Sequence, residues 1–112
     1  MNRRKELLQA YKEREIVGGI YMIENSQTGQ YLLNHTANLQ SALNHFQFAV
    51  TTGSTVHPRL QQDWEALGAG AFTFTVLEEL TQKTGQSAAA FMDDLKTLED
   101  MWRANLDATK TY

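Results

Sequence analysis

The stretch that most limits how this chain can fold is its segment 18–33. Ile20, Tyr21, Met22 and Ile23 are β-branched, aromatic or otherwise apolar and read as a β-strand. Residues 25–29 then read as a turn: Asn25 and Ser26 support turn geometry, and Gly29 supplies a positive φ. Tyr31, Leu32 and Leu33 form a second strand. Two strands joined by so short a turn make a β-hairpin.

Helices and a third strand surround this hairpin. Residues 3–15 are predicted as a short charged helix with Leu7, Leu8 and Tyr11 as its apolar stripe, broken by Gly18 and Gly19. After the hairpin, Thr36 is a candidate N-cap, and Leu39, Leu43 and Phe46 fall on one helical face. Pro58 suits the first position of the next helix, with Leu60, Trp64 and Leu67 buried and Gly68 and Gly70 ending it. Residues 71–77 alternate apolar and polar, as a half-buried third strand does. Ser87 caps a last helix whose core stripe is Phe91, Leu95, Leu98, Trp102 and Leu106. The order α-β-β-α-α-β-α predicts an α+β fold, a three-stranded antiparallel sheet flanked by helices. Its expected parts are an N-terminal helical extension (1–16), a main domain (17–107) and a C-terminal tail (108–112).

Composition narrows the function classes. At 112 residues the chain has room for one core. It contains no cysteine, so disulfide frameworks, thiolate zinc sites and thiol nucleophiles are excluded. A reducing, cytoplasmic setting fits. No apolar run approaches the roughly 20 residues of a membrane-spanning helix, so no membrane role is expected. His35 and His57 lack a metal-ligand spacing and are expected as surface histidines, His57 also as the cap before Pro58. Glu78 and Glu79 are expected to blunt the end of the third strand.

The pairing of Gly19-Ile20-Tyr21 with Tyr31-Leu32-Leu33 across an Asn/Gly turn resembles the paired motif of the GIY-YIG nuclease superfamily. The order of the later elements matches that family's α/β sandwich as well, over roughly residues 17–106. The resemblance implies a divalent-metal-dependent phosphodiester hydrolase acting on DNA. It implies Tyr21 and Tyr31 as the two motif tyrosines and His45 as the family histidine on the helix after the hairpin. Glu99, three residues before Trp102, is implied as the ligand of one Mg²⁺ or Mn²⁺ ion. Two positions depart from the pattern. Leu33 stands where the motif has glycine, and Ser41 stands where the motif has its arginine, ten residues past the second tyrosine. An arginine aimed at a phosphoryl group is worth about 10³–10⁵ in rate in phosphoryl-transfer enzymes, and Ser41 carries no charge to replace it.

Charge placement bears on the same question. The net charge is −3, and residues 16–58 contain no lysine or arginine. Nonspecific affinity for a polyanion comes from such residues on phosphates. The sequence therefore predicts an endonuclease-like domain with impaired or lost catalysis and at most weak binding of DNA or another nucleic acid. The alternative is a non-catalytic nucleic-acid- or protein-binding module on the same fold, with an unidentified protein partner.

Overall fold

The computed structural model describes residues 16–112, so the helix expected over residues 3–15 lies outside the described residues. Three strands form one antiparallel sheet: β1 (Gly18–Asn25), β2 (Tyr31–Thr36) and β3 (Phe72–Leu80), in the order β2-β1-β3. Three helices flank it: α1 (Leu39–Thr52), α2 (Gln61–Leu67) and α3 (Ala88–Arg103). This is the α+β architecture that the hydrophobic periods predict.

The hairpin turn sets the register of the sheet. Gly29 has φ 78°, and its N–H donates to the Asn25 carbonyl at 2.8 Å. The Asn25 side chain also accepts from the N–H groups of Gln27 and Thr28, at 3.0 and 3.3 Å. The resulting register pairs Tyr21 with Asn34, Ile23 with Leu32, and Glu24 with Tyr31. Side chains alternate between the faces of a strand. Tyr21, Ile23, Leu32 and Asn34 therefore share one face, while Tyr31, Leu33 and His35 point to the other.

Each face has its own core. On the Tyr21 face, Ile23, Leu32, Phe46, Leu60, Trp64 and Phe72 pack together, joining β1, β2 and β3 to α1 and α2. On the opposite face Ile20, Tyr31 and Leu33 pack with Leu98 and Trp102 of α3 and with Leu106 beyond it. Ile20 and Leu95 are fully buried, and burial of one such side chain is worth about 1.5–3 kcal/mol.

Several boundaries differ from the sequence expectation. Gly18 and Gly19, expected as a helix break, open β1. A Cβ on Gly19 would run into the Glu78 carbonyl oxygen and lie 2.9 Å from Leu39 Cδ1. The N-cap of α1 is Asn38, whose side chain accepts from Ser41 N–H at 3.0 Å. Thr36 is still in β2, paired with Gly19. In β3 the pairing with β1 skips from Glu78 to Val76 between Ile20 and Tyr21. This bulge at Leu77 breaks the expected alternation: Leu77 packs on the Tyr31 face, and Val76 is exposed. Leu67, expected in the α2 stripe, is exposed at the end of its helix. Glu78 lies within β3 and accepts from the Trp102 indole N–H at 3.0 Å.

Residues 108–112 cross back to the sheet. A short 3₁₀ turn (Ala108–Lys110) leads to Thr111, which bridges Tyr31 in parallel. Tyr112 N–H donates to the Tyr31 carbonyl at 2.8 Å. The Tyr112 hydroxyl accepts from Asn25 Nδ2 at 2.9 Å and donates to Asp63 Oδ2 at 2.7 Å. Asn25 is completely buried, so Tyr112 closes this polar socket.

Candidate active site

Tyr21 is the one motif tyrosine that faces a cleft. Its ring stacks on Phe74 with centroids 4.9 Å apart. Its hydroxyl oxygen accepts from Asn34 Nδ2 at 3.2 Å. The cleft, about 100 Å³, is lined by Tyr21, Asn34, Ala42, His45, Phe46 and His57, among others. Partial burial pushes the Tyr21 phenol above its ordinary pKa of about 10; the Asn34 hydrogen bond opposes this, and the Glu99 charge adds to it. The phenol is therefore neutral at physiological pH.

His45 comes to this cleft from α1, where the helix presents it one turn after Ser41. It is exposed, so it is free to meet a ligand. Ser41 is also exposed and contributes its backbone N–H to the helix cap. His57 enters from the loop before α2. Its Nδ1 accepts from Arg59 N–H at 3.1 Å, which caps the 3₁₀ turn Pro58–Leu60 as expected from the Pro58 position. That bond leaves Nε2 as the ring's proton-bearing nitrogen.

Tyr31 and Leu33 are not brought to the cleft. Tyr31 is buried on the other face of the sheet, and its hydroxyl donates to the Asp107 carbonyl at 2.9 Å. Leu33 is buried beside it. The cause is register: the residues of β2 that share the Tyr21 face are Leu32 and Asn34. A second phenol on β2 beside Tyr21 would have to stand at position 32 or 34, which are a leucine and an asparagine. Sequence reasoning missed Asn34 for the same reason. The signal was present, because the turn over residues 26–29 makes Asn25 the partner of Gln30 and hence Tyr21 the partner of Asn34.

Glu99 sits on α3 at the margin of the buried face, as its stripe predicts. Both of its oxygens are engaged. Oε1 is 2.9 Å from His35 Nδ1, and Oε2 accepts from Arg103 at 3.1 Å. His35 is thus a half-buried partner of Glu99, not a surface histidine; β2 extends far enough to carry it under α3. Among the described residues no three His, Asp or Glu side chains converge as a metal site. A cation at Glu99 would displace His35 or stand beside the Arg103 guanidinium. The residues present do not fit a resident Mg²⁺ or Mn²⁺ in this arrangement.

A wider groove of about 220 Å³ lies between β3 and α3, lined by Glu78, Leu98, Met101, Trp102 and Asn105. It contains none of the site residues expected from the sequence. The smaller cleft holds the titratable and hydrogen-bonding groups and is the stronger site candidate. Among the described residues no helix is long and apolar enough to cross a membrane.

No family model matches the chain, and no curated protein matches it. Among solved structures, the catalytic domain of the homing endonuclease I-TevI superposes with a TM-score of 0.61 at 20% identity. That match covers 85% of this chain and 95% of the I-TevI domain. A point mutant of the same domain gives a TM-score of 0.61 at 19% identity, covering 87% of this chain and 92% of that one. This chain therefore has the fold of the catalytic domain of the homing endonuclease I-TevI.

Proposed function

We propose that residues 17–107 form an endonuclease-like domain that binds nucleic acid weakly and whose phosphodiester hydrolysis is impaired. The observation that carries this reading is the composition of the cleft around Tyr21. It offers hydrogen-bonding groups, namely a phenol, the Asn34 amide and the imidazoles of His45 and His57. Such groups can hold the oxygens of a phosphodiester. Cleavage asks for more, because charge builds up on the phosphoryl group and on the leaving oxygen in the transition state. No arginine stands at position 41 to meet that charge. Leucine stands at position 32, and the Glu99 carboxylate is held by His35 and Arg103. The cysteine-free chain is compatible with a cytoplasmic location.

The experiment is retention of fluorescein-labelled single-stranded DNA over a salt series, run beside a cleavage assay with Mn²⁺. The expected result is weak retention with a shallow salt slope, because single strands lose affinity with a slope of about −0.7 per phosphate neutralised. No cleavage by the wild-type protein is expected. Cleavage that disappears in Glu99→Ala would refute the impairment. Absence of retention at low salt would refute the nucleic-acid reading.

A further inference from the structure

Asn34 does more than line the cleft. Its amide orientation is set by two hydrogen bonds. Asn34 Oδ1 accepts from the His35 backbone N–H at 2.9 Å, which leaves only the NH₂ group to face the Tyr21 oxygen at 3.2 Å. The pairing of Tyr21 with Asn34 in adjacent strands holds both ends of this contact. The Phe74 stack fixes the plane of the phenol.

A phenol offers one donor hydrogen and an accepting oxygen. With the oxygen already accepting from Asn34, the hydrogen turns away from the amide and toward the cleft. Among the described residues no acceptor takes it. We propose that Asn34 is a positioning residue that sets Tyr21 as a hydrogen-bond donor aimed into the cleft. The group recognised there is then an acceptor, a non-bridging phosphoryl oxygen of a nucleic-acid strand. This ligand assignment rests on the function proposed above, whereas the donor geometry does not. Partial burial, which keeps the phenol protonated, agrees with a donor.

The test uses the full chain with ¹³C-labelled tyrosine, with the Tyr21 ring Cζ resonance assigned by Tyr21→Phe. Asn34→Ala removes the amide. Asn34→Asp keeps its shape but replaces the donor with an acceptor, which captures the Tyr21 hydrogen. Both variants are expected to move the Tyr21 resonance and leave those of Tyr31 and Tyr112 in place. Retention of labelled oligo-dT at low salt is expected to fall about ten-fold in Asn34→Asp, the loss of one hydrogen bond of roughly 1.4 kcal/mol. Gln40→Glu, on an exposed turn of α1, adds the same charge without touching Tyr21 and is expected to fall less. An unmoved Tyr21 resonance in Asn34→Ala overturns the proposal, as does Asn34→Asp binding no worse than Gln40→Glu. If the wild-type protein retains no oligo-dT, the nucleic-acid reading fails and the resonances alone decide the donor geometry.

Discussion

Replacing Gly19 with alanine tests how the site is built. The added Cβ would meet the backbone carbonyl of Glu78 and lie 2.9 Å from Leu39 Cδ1. Leu39 can rotate, but the carbonyl belongs to β3 and is held by its pairing with β1. Relief would require the two strands to move apart next to the bulge. Overpacking of this kind costs about 1–3 kcal/mol, and the rigid backbone contact favours the upper half of that range. Against it stands the smaller entropy of the unfolded alanine chain, a gain of about 0.4–1 kcal/mol. The expected net loss is about 2 kcal/mol. Gly70→Ala is the matched control, since a Cβ there meets nothing within 4 Å and φ is not positive. It should be neutral or stabilising by up to about 1 kcal/mol. Urea unfolding followed by the fluorescence of Trp64 and Trp102 reads both variants. With a slope of about 1–2 kcal/mol per M, the Gly19→Ala midpoint should fall by about 1–2 M. A midpoint within about 0.3 M of wild type would refute the reasoning, because the strand would then have room for a side chain. The outcome also bears on the Gly-Ile-Tyr tripeptide: its glycine would be required by strand packing, not by approach of a ligand.

Three further predictions concern other parts of the molecule. Tyr112→Phe removes the hydroxyl that joins Asn25 to Asp63 and should cost about 1 kcal/mol, whereas Asn25→Ala, which also strips the turn of its acceptor, should cost about 3 kcal/mol; equal midpoint shifts in urea would contradict this ranking. His57→Ala deletes the side-chain cap on Arg59 N–H and should lower stability by about 1 kcal/mol, measured by the same unfolding curves. Burial raises the pKa values of both Tyr21 and Tyr112. The folded state then holds these protons more tightly than the unfolded chain, so their contribution is constant below about pH 10 and is lost as pH climbs through the folded values. Thermal midpoints between pH 8 and 11 should drop less in Tyr21→Phe than in wild type.

Much of the fold was legible because each element carries its own period. The 4-3-4-4 spacing of Phe91, Leu95, Leu98, Trp102 and Leu106 marks one helical face, and those residues do contact the sheet side of α3 or lie just beyond it. The hairpin was equally plain. What failed was parity. Matching tripeptides by letter puts Tyr31 in step with Tyr21, but a shift of one residue on a strand exchanges the faces of the sheet. The register set by a four-residue turn buries Tyr31 under α3 and gives Leu32 and Asn34 to the cleft. The pairing of Glu99 with His35 was hidden for a different reason. His35 lies 64 positions away, and only the packing of α3 on β2 makes them partners. The bulge at Leu77 was hidden too, since one inserted residue in β3 leaves only a break in alternation at Val76 and Leu77, which a strand end would also give.

The socket closed by Tyr112 also has a kinetic side. Asn25 and Tyr112 are 87 positions apart, so their contact closes one of the longest loops the described chain can make. Such contacts bear the full loop-closure entropy and tend to form late in folding. During synthesis the hairpin emerges well before Tyr112, and the Asn25 socket stays open until that residue arrives. Mutations in the socket should therefore speed unfolding and leave the refolding rate nearly unchanged, the behaviour of a contact absent from the transition state. Thr111 and Tyr112 would then act as a clasp on a sheet already assembled, governing how long the native state lasts more than how quickly it is reached.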